Sequence, residues 1–384
     1  MKKFWKNIAR KSLLRNELRE LAGQFQIPGE FLDGVPYGSG HINDTYAITF
    51  RQEGKKTRYI LQRINHNIFK DPPAVMENII RVTQHIRDKI QAQDADNVLR
   101  RVLTVIPTSK GESYHIDDSG DYWRAYIFIE NATTYDTLQS PEQAYEAAKT
   151  FGEFQKTLID LPSPPLKETI LNFHSGPVRY QAFQRALEAN SYNRAANAEK
   201  EISFLQSHSW IFDVIPEKVA RGEMPVRTTH NDTKINNVML DDETGEGVCV
   251  IDLDTVMPGS VLYDFGDLVR TVTSPTHEDE LDLSKVKMHM HMFEKLARGY
   301  LAGAGDFLSE SERSHLAFAG KLITLIIGTR FLTDYLEGDV YFKYRRDGHN
   351  LDRCRTQFKL VQSIIEQEEE MMKFVISSNQ RKPS

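Results

Sequence analysis

Between Val226 and Arg270 the chain reads VRTTHNDTKINNVMLDDETGEGVCVIDLDTVMPGSVLYDFGDLVR, and no other stretch constrains the fold as much. His230-x-Asp232-x-Lys234-x-x-Asn237 forms a polar loop, followed by a short apolar run, a turn at DDETGEG and the strand-like VCVI that leads into Asp252. Two short apolar runs around a Gly-containing turn read as a hairpin, which brings Asp252 back beside the loop. Any one Asp or Asn here is an ordinary turn residue or cap. The order carries the information: His-x-Asp, an Asn five residues after the Asp, a strand ending in Asp, then Asp264 in YDFGDL.

Those groups are the ones phosphoryl transfer needs. It asks little covalent chemistry of a protein, but it requires a carboxylate to orient the attacking hydroxyl and oxygen ligands for magnesium on the phosphates. Asp232 suits the hydroxyl, Asn237 and Asp252 the metal, and the Lys234 ammonium can offset charge on the transferred group. The Asp, Lys and Asn spacing also matches the catalytic loop of protein kinases.

Upstream, VPYGSGHINDTYAITF, RQEGKK and TRYILQRI read as a Gly-rich hairpin followed by a further strand. Gly38, Ser39 and Gly40 lie between strand-like runs, where backbone N–H groups can approach a phosphate. Asp71-Pro72-Pro73 caps a helix, and more strands are expected at VLTVI, SYHI and YWRAYIFI. The strand after the hairpin should offer a cation to the α/β-phosphates, but LQRI contains no Lys. Alternation places Leu61 and Arg63 on one face and Gln62 on the other. Arg63 is the substitute, with an outward salt-bridging role as its alternative, and Glu77 is its expected ion-pair partner or else a solvated helix charge. Backbone groups around Glu130 to Ala132 are expected to face adenine.

Beyond Ile129 the pattern becomes mainly helical, so the expected architecture is α+β. A small β-rich lobe at 1–129 binds nucleotide, and a larger helical lobe at 130–384 carries the catalytic and acceptor groups. The length of 384 residues suits two or three domains, and a net charge of −6 provides no basic field for nucleic acid. Cys249 and Cys354 are too few for a disulfide framework. The N-terminus lacks a secretory apolar core, and no apolar run approaches the ~18 residues of a membrane span. These features point to a cytoplasmic protein with no membrane, nucleic-acid or evident protein partner. Residues 11–24 read as an amphipathic helix, and the tail after Asn350 as another.

The loop and its hairpin resemble the motif of the aminoglycoside phosphotransferase and choline kinase superfamily, a branch of the protein-kinase-like bilobal fold. More closely, HNDTKINNVMLDD, VIDLDTVMPGSVLYDFGD and VPYGSGHINDTY resemble N-acetylhexosamine 1-kinases, with the likeness running from about residue 30 to 365. That resemblance implies ATP and Mg2+ as cofactors and phosphorylation of the anomeric hydroxyl of GlcNAc or GalNAc. It implies a bracing role for His230, and hydrogen bonds from loop backbone groups to Asp264. Asp254 is open among sugar, metal and turn. In GKLITLIIGTRFLTDYLEGD, Arg330 and Asp334 continue an apolar stripe, where they form an i,i+4 ion pair or Arg330 points into the acceptor pocket. The resemblance favours the pocket and adds Tyr341 and His41 as sugar contacts. The competing readings are a kinase for another sugar, an aminoglycoside or choline, and a catalytically silent kinase-like binding protein.

Overall fold

The computed structural model describes residues 14–38, 40, 42–92, 97–138 and 140–379. They fall into two compact units, the first made of Met1–Ala132, Leu166–Ile170 and Cys249–Val256, the second of Thr133–Pro165, Leu171–Val248 and Met257–Ser384.

In the first unit, strands β1 (Glu30–Pro36), β2 (Asp44–Gln52) and β3 (Lys55–Ile64) form an antiparallel meander. The RQEGKK stretch is a tight hairpin, because Glu53 and Gly54 both have positive φ (50° and 80°) and bend the chain within two residues. Short strands β4 (Val105–Ile106) and β5 (His115–Ile116) pair along one edge of β6 (Tyr122–Ile127), whose other edge pairs with β3 and places Arg124 opposite Gln62.

Period-two alternation sorts these strands onto two faces. Ile48, Phe50, Tyr59, Leu61, Trp123 and Ala125 form one core with Leu18 and Ala22 of helix α1 (residues 14–22). Phe50 meets Phe31 and Tyr59 edge-on, with ring centroids 5.5 and 5.8 Å apart. Gln62 and Arg124 lie on the opposite face. There Met76 of helix α2 (Pro72–Gln91) places its sulfur 3.8 Å from the Arg124 guanidinium. Asp71 caps α2 by accepting from the Ala74 N–H at 3.1 Å.

The sequence pattern predicts one continuous N-terminal lobe ending at residue 129, whereas the first unit also takes in Leu166–Ile170 and Cys249–Val256. Fully buried Asn78 explains why later segments join it: its Nδ2 donates to the carbonyls of Lys167 (2.8 Å) and Val256 (3.1 Å), and its Oδ1 accepts from the Lys167 N–H (3.0 Å).

The second unit is mainly helical. Helix α3 (Pro141–Thr157) packs on α6 (Met290–Ala304), and α7 (Leu316–Leu336) packs on both α5 (Val261–Val272) and α8 (His349–Asn379). Helix α4 (Gly176–Ala189) also lies on α7. The α3–α6 approach needs glycine: a Cβ on Gly299 would sit 2.1 Å from the Tyr145 carbonyl oxygen, and one on Gly303 2.3 Å from that of Lys149. Strand β7 (Arg227–Thr229) pairs with β9 (Met257–Gly259), and β8 (Val238–Asp241) lies between them in sequence.

By length and composition α7 is apolar enough to cross a membrane, yet 89% of its most apolar window is buried inside the protein. Lys321, Arg330 and Asp334 interrupt the run, which conceals it from a search for uninterrupted apolar residues. Both cysteines are free and buried, and burial pushes the Cys249 thiol up to about 12.

Candidate active site

In the second unit the loop after β7 is held from beneath by Asp264 of α5. Its fully buried carboxylate accepts from the N–H groups of His230 (2.9 Å) and Asn231 (2.6 Å) and from Gln155 Nε2 (2.6 Å). Gln155 accepts in turn from the Tyr300 hydroxyl at 2.5 Å, and the Thr233 hydroxyl donates to the Asp264 carbonyl at 2.6 Å. The His230 ring packs edge-on against Phe151 and Phe154, and its Nδ1 accepts from the Asp232 N–H at 3.2 Å.

This scaffold presents Asp232 with two neighbours from its own loop. Lys234 Nζ lies 2.9 Å from Oδ1, and Asn237 Nδ2 donates to the Asp232 carbonyl (2.8 Å) and to Oδ2 (3.1 Å). Burial works to raise the Asp232 pKa, but the charge and hydrogen bond of Lys234, aided by His230 and Arg270, bring it below the ordinary carboxylate value. The carboxylate charge raises Lys234 in return. The carboxylate is thus an anion able to accept or orient a hydroxyl proton. Because the nitrogen of the Asn237 amide is engaged by Asp232, its oxygen is the end left for a hard cation.

Around α7, Asp334 does not pair with Arg330. Its carboxylate accepts from the N–H groups of Val340 (2.9 Å), Tyr341 (2.7 Å) and Phe342 (3.0 Å) and from Asn350 Nδ2 (2.9 Å), so its lone pairs hold the loop after α7. Arg330 instead lies among aromatic rings, its guanidinium carbon 5.3 Å from the centroids of Phe173 and Phe342 and 5.6 Å from Tyr341. Its Nη2 is 3.4 Å from the Tyr341 hydroxyl. Arg179 of α4 donates to the Phe173 carbonyl, and burial, with repulsion from Arg330, lowers it to about 10. Among the described residues neither guanidinium is ion-paired with a carboxylate.

The sequence pattern gave no signal for His174, which lies 57 residues before Asn231 and donates from Nε2 to its carbonyl at 2.7 Å. Its ring packs against Phe173 and Tyr263, and it feels the charges of Asp267, Arg330 and Asp232. Burial holds it neutral, lowering its pKa to about 4.

In the first unit Asp252 adopts a left-handed conformation, φ 59° and ψ 56°, and its charge reaches Arg124. Asp254 is buried and committed: Arg124 Nη1 lies 2.5 Å from its Oδ1, and Asn43 Nδ2 donates to its Oδ2 at 2.7 Å. It is therefore bound by protein groups rather than presented to a sugar. Arg124 also reaches Gln62 Oε1 through Nε (2.9 Å) and Nη2 (2.6 Å). Asn43 extends the link to the Gly-rich segment, accepting from the Asn65 N–H at 2.9 Å.

Two sequence expectations change here. Arg63 shares the Leu61 face, opposite Gln62 and Arg124, and is held by Asp44 (Nε, 3.0 Å) and Asp121 (Nη1, 2.7 Å), which makes it a rim salt bridge. Glu77 is not its partner, because Lys167 takes that carboxylate. The Glu130 side chain is bound by Arg58, whose guanidinium also stacks over Phe128 at 3.8 Å. Gly38 has φ 79°, and a Cβ on it or on Gly40 would meet nothing within 4 Å. Ser39 and His41 lie outside the described residues.

Solved structures with this arrangement of elements share little sequence with the chain. An aminoglycoside phosphotransferase from Alicyclobacillus acidocaldarius aligns with a TM-score of 0.58 at 12% identity, covering 94% of this chain and 96% of that one. A spectinomycin phosphotransferase in complex with ADP and spectinomycin aligns at 0.54 and 12%, covering 96% and 99%. Choline kinase from Cryptosporidium parvum aligns at 0.54 and 13%, covering 95% and 99%. At such identities the likeness establishes the kinase-like α+β fold. The family model described as the phosphotransferase enzyme family matches residues 33–309, and the chain belongs to that family.

Proposed function

We propose that the chain transfers the γ-phosphate of ATP to the anomeric hydroxyl of an N-acetylhexosamine, GlcNAc or GalNAc. The observation that carries the choice of acceptor is the environment of Arg330. Arg330 and Arg179, two guanidiniums without carboxylate partners among the described residues, lie beside Phe173 and the Tyr341 hydroxyl. A cationic acceptor such as choline, ethanolamine or an aminoglycoside calls for carboxylates or an open aromatic cage, and here the aromatic faces are already occupied by Arg330. A neutral sugar with hydroxyl and acyl oxygens suits such donors. The ADP-bound spectinomycin phosphotransferase supports a nucleotide as the donor.

In this reading Asp232 accepts the proton of the attacking hydroxyl, and Lys234 keeps that carboxylate ionised and offsets charge on the phosphoryl group. Asn237 and Asp252 are the oxygen ligands for magnesium, which neutralises phosphate charge when bound. The Gly38–Ser39–Gly40 segment covers the phosphates, and the backbone around Glu130 faces adenine. His41, Arg330 and Tyr341 contact the sugar. Arg124 takes the place proposed for Arg63, because it is the guanidinium within reach of the charges of Asp252 and Asp254.

The test is incubation with ATP, magnesium and a panel of GlcNAc, GalNAc, glucose, choline, ethanolamine and spectinomycin. ADP release measures turnover, and phosphorus NMR locates the new ester. Turnover on the two N-acetylhexosamines with phosphate on the anomeric oxygen is expected. Turnover confined to a cationic acceptor would sink the acceptor assignment and leave the phosphotransferase chemistry standing.

A further inference from the structure

Asn231, immediately before Asp232, has φ 66°, a left-handed conformation that Asn adopts more readily than most side chains. Its N–H is taken by Asp264, and its side chain is tied to Thr229 through Nδ2 to the Thr229 carbonyl and Oδ1 to the Thr229 hydroxyl, both at 3.1 Å. The peptide group that follows, joining Asn231 to Asp232, is gripped at both ends by imidazoles. Its N–H donates to His230 Nδ1 at 3.2 Å, and its carbonyl accepts from His174 Nε2 at 2.7 Å.

The chemistry assigns the two rings opposite duties. A carbonyl oxygen only accepts, so His174 carries its proton on Nε2, and its buried Nδ1 is a bare acceptor with no hydrogen-bond partner among the described residues. His230 Nδ1 receives an N–H and is therefore the unprotonated nitrogen of its ring. Rotation about the Asn231 Cα–C bond would turn the shared peptide plane and swing the Asp232 Cα, and with it the carboxylate. His230 belongs to the same loop as Asp232. His174 is anchored elsewhere, 6% exposed and packed against Phe173 and Tyr263.

We propose that His174 is a positioning residue for Asp232: its Nε2–H holds the carbonyl of Asn231 and thereby sets the peptide plane that aims the catalytic carboxylate. The inference rests on the reading of Asp232 as the proton acceptor. It also predicts a particular pattern of rescue, because only the Nε2 end of the ring bears on the loop. A Gln amide nitrogen reaches the position of Nε2, whereas an Asn amide reaches only that of Nδ1.

The experiment compares His174→Gln, His174→Asn and His174→Ala in steady-state kinetics, alongside Asp232→Asn. We expect Ala and Asn to lower kcat by about 10- to 100-fold, the effect of a misplacement on the ångström scale, with KM for ATP unchanged, and Gln to stay within about 3-fold of wild type. Equal activity in all three, or Gln as poor as Asn, overturns the positioning role. Asp232→Asn tests the underlying reading separately, since near-wild-type turnover there would remove the proton acceptor itself. Long-range proton–nitrogen NMR of the unmodified protein gives a readout free of folding effects. A His174 ring protonated on Nε2 supports the inference, and protonation on Nδ1 overturns it.

Discussion

Asp232 sits between burial, which favours its neutral form, and Lys234, which favours the anion and wins. The energetic weight of this residue in the proposed reaction is therefore carried by one charge. Asp232→Asn keeps the shape and the contact with Asn237 but removes the proton acceptor, and kcat is expected to fall by at least about 100-fold, the lower range of general-base contributions. The circular dichroism spectrum should be unchanged. A variant within 3-fold of wild type would refute the assignment. His174 gives a stability prediction of definite sign. Its folded value of about 4 lies below the unfolded value of about 6.5, so the fold favours the neutral ring. That contribution is complete above about pH 6.5 and is lost progressively as the pH falls toward 4, amounting to about 3 kcal/mol in all. Urea unfolding between pH 7.5 and 4.5 should therefore show a steeper loss of stability for the wild type than for His174→Gln. Parallel curves would contradict it. The loop around Asp232 was legible from residue order, because Asp, Lys and Asn lie within one short segment. His174 was not, because its partner is a backbone carbonyl 57 residues away and a lone His carries no spacing signal.

At the scale of elements, the β3–β6 pairing decides which guanidinium meets the acidic turn. Arg124 faces Gln62 across the ladder and reaches Asp254, whereas Arg63, one residue along β3, is turned to the other face. A buried pair is sensitive to loss of one member, since the survivor keeps an uncompensated charge. Arg124→Met is expected to lower unfolding free energy by about 3–5 kcal/mol, and adding Asp254→Asn should recover part of that loss. Urea titration of the two single variants and the double variant checks this, and strict additivity would show that the pair is not coupled. Alternation along LQRI already separated Arg63 from Gln62 in the sequence, but the strand that supplies the cation on the Gln62 face is a matter of register between distant segments. Helix α7 teaches a similar lesson: its stripe identified Arg330 and Asp334, while the i,i+4 spacing left their pairing open. The loop after α7 settles it by offering Asp334 three backbone N–H groups.

At the scale of the whole molecule, a ligand that binds only the folded protein stabilises it by mass action. ATP with magnesium at about 100 times its Kd should raise unfolding free energy by about 2.7 kcal/mol, and EDTA should remove most of that gain if Asn237 and Asp252 act through the metal. Thermal unfolding with and without chelator measures it; a gain unaffected by EDTA would argue against the metal assignment. The change from β-rich to helical sequence near residue 129 was readable because hydrophobic periodicity changes from two to about 3.6. The inclusion of Leu166–Ile170 and Cys249–Val256 in the first unit was not, since it depends on hydrogen bonds from Asn78 to backbone groups of both segments. By itself the sequence determined the α+β class, the polar loop around Asp232 and the order of its groups, because these rest on local periodicity and on spacing within a few residues. Only the tertiary structure decided that Asp254 is bound by Arg124 and Asn43, that Glu77 pairs with Lys167, that Arg330 lies among aromatic rings and that His174 holds the carbonyl of Asn231. Each of those is a choice of partner between segments far apart in the chain. Burial and strand register make such choices, and neither is written in the spacing of any one segment.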